Sequence, residues 1–263
     1  MNRLRALVHK ELLDLRRNRG ALLPVAVTTL MFLGFQLTIL LLPSLTGTEL
    51  ASDRDLQRLS AAVGSHEELS LNARVQLFLF QQFLILFLLM PITGAMGLAS
   101  HAIVGEKQAR TLEPLLATPV TTGELLVAKV LGALIPTLAI SLAGVVCFFL
   151  AIALLAEPGV LGAMLGPRTW ILLALVGPAA ALVALQSAIV ISSRVNDART
   201  AQQFGVLIIL PVTAVLVAQF TGSLWLSAPM LAVAGLGLVG IWTLLTLVSV
   251  ALFDREAILT RWK

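Results

Sequence analysis

Six long apolar runs divide the chain, and the charged positions fall between them. The runs read Ala21 to Pro43, Val75 to Val104, Leu125 to Ala156, Trp170 to Ser192, Phe204 to Phe220 and Ala228 to Phe253. A helix rising about 1.5 Å per residue needs about 20 such residues to cross a bilayer. The pattern predicts an all-α polytopic membrane protein with six transmembrane helices. Ahead of the first run, "RLRALVHKELLDLRRNR" sets Leu4, Leu7, Val8, Leu12 and Leu15 at spacings of three and four, with Arg3, Arg5, Lys10, Asp14, Arg17 and Arg19 on the other sides. Residues 1–20 therefore read as an amphipathic helix lying along the membrane face. It anchors the first span and also offers a surface to a partner. Residues 21–263 then form a single six-helix membrane domain.

Between the first two spans, segment 44–74 carries a weak stripe of Leu50, Leu56, Leu59 and Val63 among Asp53, Arg54, Asp55 and Arg58. A short interfacial helix ending near Gly64 is expected, serving as a solvated connector or as a gate. Pro24, Pro91, Pro136, Pro178, Pro211 and Pro229 recur within or at the start of spans, where each removes a backbone donor and tends to bend its helix. Gly132, Ala133, Gly235, Gly237 and Gly240 allow close helix approach.

Composition agrees with the pattern. The chain is 58% hydrophobic and 12% charged, against about 25% charged residues in a soluble domain. No Asp, Glu or Arg lies inside the six runs, and the one Lys that does, Lys129, is near an end. Fourteen of the 18 Lys and Arg fall in the N-terminal segment, the stretch from Gly105 to Lys129, the Arg194 to Arg199 loop and the tail 254–263. The opposite loops hold Arg54, Arg58, Arg74 and Arg168. Such asymmetry places the richer side, with both termini, in the cytoplasm. The net charge of +4 reads as a topology signal and not as a nucleic-acid footprint. Cys147, the single cysteine, excludes an intrachain disulfide and is expected simply to pack inside the third span. Residues 1–20 lack the apolar core of a cleaved signal peptide.

Several chemistries are missing. His9, His66 and His101 are far apart and form no paired ligand spacing, which argues against a metal hydrolase. The spans hold no carboxylate to relay protons or ions. No GxxxxGK[ST] sequence is present to cradle ATP phosphates. Energy for any uphill step must come from outside the chain.

That directs attention to "GEKQARTLEPLLATPVTTGELLVAK", Gly105 to Lys129. Thr111 can cap a short helix over Leu112 to Ala117, with Glu113 in its first turn and Pro114 early enough to be tolerated. Leu112, Leu115 and Leu116 then share one apolar face, which calls for a partner or dips among lipid headgroups. After Pro119, Thr121 and Glu124 have the spacing of a capping box, so a second helix starts there and runs into the third span.

The pattern made by Glu106, Thr111, Leu112, Glu113, Leu115, Leu116, Pro119, Glu124, Leu125, Leu126 and Lys129 resembles the signature of ABC transporter permeases of the type-2 exporter family. "HKELLDLRRNR" resembles that family's opening helix, and "SSRVNDARTAQQ" is similar to its loop after the fourth span. Arg110 and Ala128 stand where the family often has glycine. The resemblance implies that segment 105–124 is a cytoplasmic coupling helix in a groove of a separate ATP-binding subunit. Thr111, Leu112, Glu113, Leu115, Leu116 and Pro119 would make the contact, with Glu106 and Lys129 bracketing it. It further implies a dimer of ATP-binding subunits carrying Mg-ATP, a second permease copy, no cofactor in this chain, and a bacterial inner membrane.

The expected function is the non-enzymatic permease subunit of an ATP-driven exporter. A membrane scaffold that docks an ATPase for mechanical or assembly work would need the same coupling helix, whereas a secondary transporter would need the intramembrane charges that are missing. Gln36, Thr38, Gln81, Gln82, Thr93, Gln186, Ser187, Gln202, Gln203 and Gln219 supply hydrogen bonds without charge. They either line a path for a lipid-like or drug-like substrate or pair between helices.

Overall fold

The computed structural model describes residues 2–17, 19–46, 52–60, 68–108, 121–194, 203, 206–221 and 224–252. Every regular element among the described residues is helical: α1 (Asn2–Arg17), α2 (Arg19–Thr46), α3 (Arg54–Ser60), α4 (Leu71–Leu86), α5 (Leu89–Gln108), α6 (Thr122–Leu155), α7 (Val160–Met164), α8 (Pro167–Ile171), a π-helical turn (Leu172–Val176), α9 (Gly177–Arg194), α10 (Val206–Phe220) and α11 (Ala228–Leu252). Among the described residues, four stretches are long and apolar enough to cross a membrane: Leu71–Ser100, Gly123–Leu155, Pro167–Ser192 and Ala228–Ser249. Two shorter apolar stretches, Val25–Leu41 and Leu210–Gln219, lie in α2 and α10.

Proline explains where the spans depart from plain helices. The second span, expected as one helix, breaks at Phe87 and Leu88 just before Pro91. Pro91 has no N–H for the Phe87 carbonyl, and the backbone tightens instead: Leu88 N–H donates to Ile85 O at 3.0 Å and Met90 N–H to Phe87 O at 3.2 Å. In the fourth span the π-helical turn precedes Pro178, with Gly177 N–H reaching back to Leu172 O. The wider turn makes room for a ring that would crowd the carbonyl four residues back. By contrast α6 runs through Pro136 without a break, and Thr137 Oγ1 donates to Ala133 O at 2.8 Å in the adjoining turn.

Helices α5 and α9 form the centre. Ala181, Leu185, Ala188 and Ile189 of α9 pack on Ala95, Met96, Leu98 and Ala99 of α5, with Leu125 and Ala133 of α6 closing the cluster. Alanines let the helix axes approach, which matters because lipid removes the hydrophobic drive between spans and leaves close packing to hold them. Gly235 serves the same end, since a Cβ there would lie 2.7 Å from Leu175 Cγ. Nearer the end opposite α1, Phe148 of α6 packs against Phe80 and Phe87, with ring centroids 5.9 and 5.3 Å away.

The loops at that end fold back onto the bundle. Asp53 Oδ1 accepts the Asp55 N–H at 2.8 Å and starts α3, whose Leu56 packs near Val75, Phe78 and Leu79. This helix is described as far as Ser60, and Gly64, where it was expected to end, lies outside the described residues. Val160 and Met164 of α7 are fully buried. Gly159 turns into α7 at φ +89°, where any side chain would also strike Leu69 Cδ2 at 2.5 Å.

The outer faces of α6 and α11 are apolar and uncovered. Leu142, Val146, Leu150 and Leu154 make one stripe on α6, and Val233, Leu236, Leu244 and Leu247 make another on α11. Cys147 lies on the exposed side of α6, so the expectation that it packs inside is corrected. A thiol on the lipid side of a span satisfies itself as a small hydrophobe. A nitroxide attached at Cys147 should collide freely with oxygen and poorly with a water-soluble nickel chelate in reconstituted membranes. The opposite ratio would place this face against water.

Candidate functional site

Of the candidate coupling segment 105–124, the structure describes 105–108, which close α5, and 121–124, where α6 starts. Thr121 is extended, at φ −74° and ψ 151°. Glu124 N–H donates to Thr121 Oγ1 at 3.2 Å, and Thr121 N–H donates to Glu124 Oε2 at 2.9 Å. The reciprocal box read from sequence is present, and it satisfies two donors that a helix start leaves open. From it α6 extends 34 residues to Leu155.

About two turns further on, Lys129 is buried, 3% exposed, and its Nζ lies 3.5 Å from Glu11 Oε1 of α1. Glu11 also meets Lys10 Nζ at 3.6 Å, and Lys10 meets Asp14 at 3.7 Å. Gly132, one turn beyond Lys129, permits the contact: a Cβ there would stand 2.6 Å from Glu11 Cβ. Leu7, Val8 and Leu12 of α1 are half-buried. The amphipathic helix is thus seated on the start of the third span, with its acid clamped to the one lysine of that span.

Of the residues expected to make the contact, Glu106 falls in α5, and Thr111, Leu112, Glu113, Leu115, Leu116 and Pro119 lie outside the described residues. Lys129, expected to bracket the segment, turns inward to Glu11. Ala128, where the family often has glycine, is buried, 1% exposed. The Glu11 contact was not read from sequence, although a signal was present. Glu11 sits at helical spacing from Leu4, Leu7, Val8 and Leu15 on the apolar stripe, and an acid there asks for a buried base.

The uncharged polar residues of the spans divide in two. Gln186 Nε2 donates to Ser249 Oγ at 2.7 Å and ties α9 to α11, while Thr38 and Thr93 donate to their own helices at Gly34 O and Leu89 O. These are structural pairings. Gln36, Gln82 and Gln219 are buried differently: both amide atoms of Gln82 and Gln219, and Oε1 of Gln36, have no hydrogen-bond partner among the described residues. Unsatisfied amides in a membrane interior are costly. Among the described residues, no group of three or more His, Cys, Asp or Glu is arranged to hold a metal ion.

Residues 5–255 match the family model described as ABC-2 family transporter protein. No curated protein matches the chain.

Proposed function

The chain belongs to the ABC-2 transporter family, and on that premise we propose that it is the permease subunit of an ATP-driven exporter with six spans. In this reading it sits in a bacterial inner membrane with both termini in the cytoplasm, and two permease copies form the pathway. Mg-ATP is bound by a separate dimer of ATP-binding subunits that docks on segment 105–124 through Thr111, Leu112, Glu113, Leu115 and Leu116, with Glu106 and Pro119 at its edges.

The observation that carries this reading is the continuity of α6. It starts at the capping box that follows the proposed docking segment and runs unbroken to Leu155, long and apolar enough to cross a membrane. A shift imposed on segment 105–120 therefore moves the third span as a body, and the Glu11–Lys129 pair carries α1 with it. A partner that contacts the segment differently before and after nucleotide closure biases the two conformations of the spans by that difference. The unsatisfied amides of Gln36, Gln82 and Gln219 support an uncharged, hydrogen-bonding path suited to a lipid-like or drug-like substrate.

The purified chain alone should hydrolyse no ATP, and the complex with its ATP-binding subunit should hydrolyse it and be stimulated by substrate in vesicles. Hydrolysis by the chain alone would contradict the assignment, and a complex unresponsive to every lipid and drug tested would favour a scaffold.

A further inference from the structure

The end of the bundle opposite α1 holds a largely buried cation that has no counter-ion among the described residues. Arg168, in α8, donates from Nη1 to Gln81 Oε1 of α4. Its guanidinium carbon lies 4.1 Å from the ring centroid of Trp225, and that indole stacks on Phe78 of α4 at 6.3 Å. Nη2 is enclosed and makes no hydrogen bond. No carboxylate pairs with Arg168 among the described residues. Glu157, the acid closest in sequence, gives its backbone N–H to Gln76 Oε1 at 2.9 Å and forms no ion pair. Arg58 of α3 is the ordinary case at this end, exposed and 3.7 Å from Asp55.

An aromatic face and one amide oxygen replace only part of the hydration that the guanidinium has lost. Its free donor edge is planar and rigid, the geometry that meets two oxygens of a phosphate at once. Depth in the membrane favours the same ligand. Trp170, two residues on, is exposed, and its Nε1 donates to Leu165 O at 3.1 Å, the posture of an interfacial indole. Arg168 is the second residue of the candidate span Pro167–Ser192, a position that this reading sets at the level of lipid headgroups.

We propose that Arg168, positioned by Gln81 and Trp225, binds a phosphate oxyanion at this membrane surface, supplied by a phospholipid headgroup. The Gln81 amide, its oxygen taken by the guanidinium, keeps its Nε2 donor for the same anion. Because Nη2 is enclosed, binding requires the segment Leu224–Ser227 to lift. That segment has no regular structure and is held at its start by Leu224 N–H to Ala218 O at 3.0 Å. The site depends neither on the direction of transport nor on docking of an ATPase.

The test compares three probes on the full chain in maltoside micelles: phosphatidic acid, the diacylglycerol with the same tails and no phosphate, and inorganic phosphate. Phosphatidic acid should raise the unfolding temperature saturably, as a ligand of the native state does, and diacylglycerol should not. In Arg168→Gln the lipid should bind roughly 10- to 100-fold more weakly, as loss of a charge-assisted pair implies. Arg168→Lys, which keeps the charge and loses the fork, should fall between. Equal shifts from phosphatidic acid and diacylglycerol, or unchanged affinity in Arg168→Gln, would overturn the site. A response to inorganic phosphate alone would overturn the lipid source. Should Arg168→Gln fail to fold, the wild-type comparison and Arg168→Lys decide between the same outcomes.

Discussion

Glu11→Leu should destabilise the folded chain by roughly 3–5 kcal/mol, the cost of breaking a buried ion pair by removing one of its members. Lys129 is 3% exposed in the Glu11 contact, so water cannot replace the lost carboxylate. Lys129→Met should cost less, because Glu11 keeps Lys10 at 3.6 Å, although Lys10 is 43% exposed and correspondingly screened. The double variant Glu11→Leu/Lys129→Met removes both charges and fills the contact with apolar atoms of similar size. It should recover most of the loss, since a buried pair exchanged for hydrophobic groups is often close to neutral. Equilibrium unfolding in mixed micelles around this double-mutant cycle measures the coupling directly. Additive single effects would mean that the two residues do not act as a pair. Trypsin sensitivity at the arginines of α1 provides a second readout. It should rise in Glu11→Leu and return toward the wild-type level in the double variant if the pair seats α1 on the third span.

Much of this architecture was legible in the sequence because the solvent enforces it. An apolar interior admits only backbone that satisfies itself, so long uncharged runs had to be helices. The start of α6 was legible for a local reason, since Thr121 and Glu124 complete their box within one turn and need nothing from the rest of the chain. The break before Pro91 and the π-helical turn before Pro178 were legible as disturbances only. Proline announces a missing donor, and the neighbours Leu88 and Gly177 decide whether the helix tightens or widens.

What escaped was set by packing between distant segments. Gly132 was recognised as a close-approach residue, but its partner proved to be Glu11 of α1 and not another span. Cys147 was expected inside, and nothing in its flanking "GVVCFFL" says which side of α6 faces lipid. The Arg168, Gln81 and Trp225 cluster joins three separate parts of the chain, and no local pattern records it. For the coupling segment the position is reversed. Sequence supplies the expectation of a helix with a leucine face and the family pattern, and the described structure supplies the two helices on either side of the segment.

The double change Leu115→Asp/Leu116→Asp puts two carboxylates on the face proposed to enter the ATP-binding subunit. Each must be desolvated against an apolar groove without a planned partner, so binding should weaken by at least ~100-fold, or about 3 kcal/mol. The described helices are held together by clusters of their own, and the spans are expected to stay folded. Co-purification of the ATP-binding subunit with the tagged chain, with the unfolding temperature of the chain measured in parallel, tests the central claim most directly. Loss of the ATP-binding subunit from a chain that still unfolds at the wild-type temperature is the expected result; retention of the subunit with undiminished ATPase activity would contradict it.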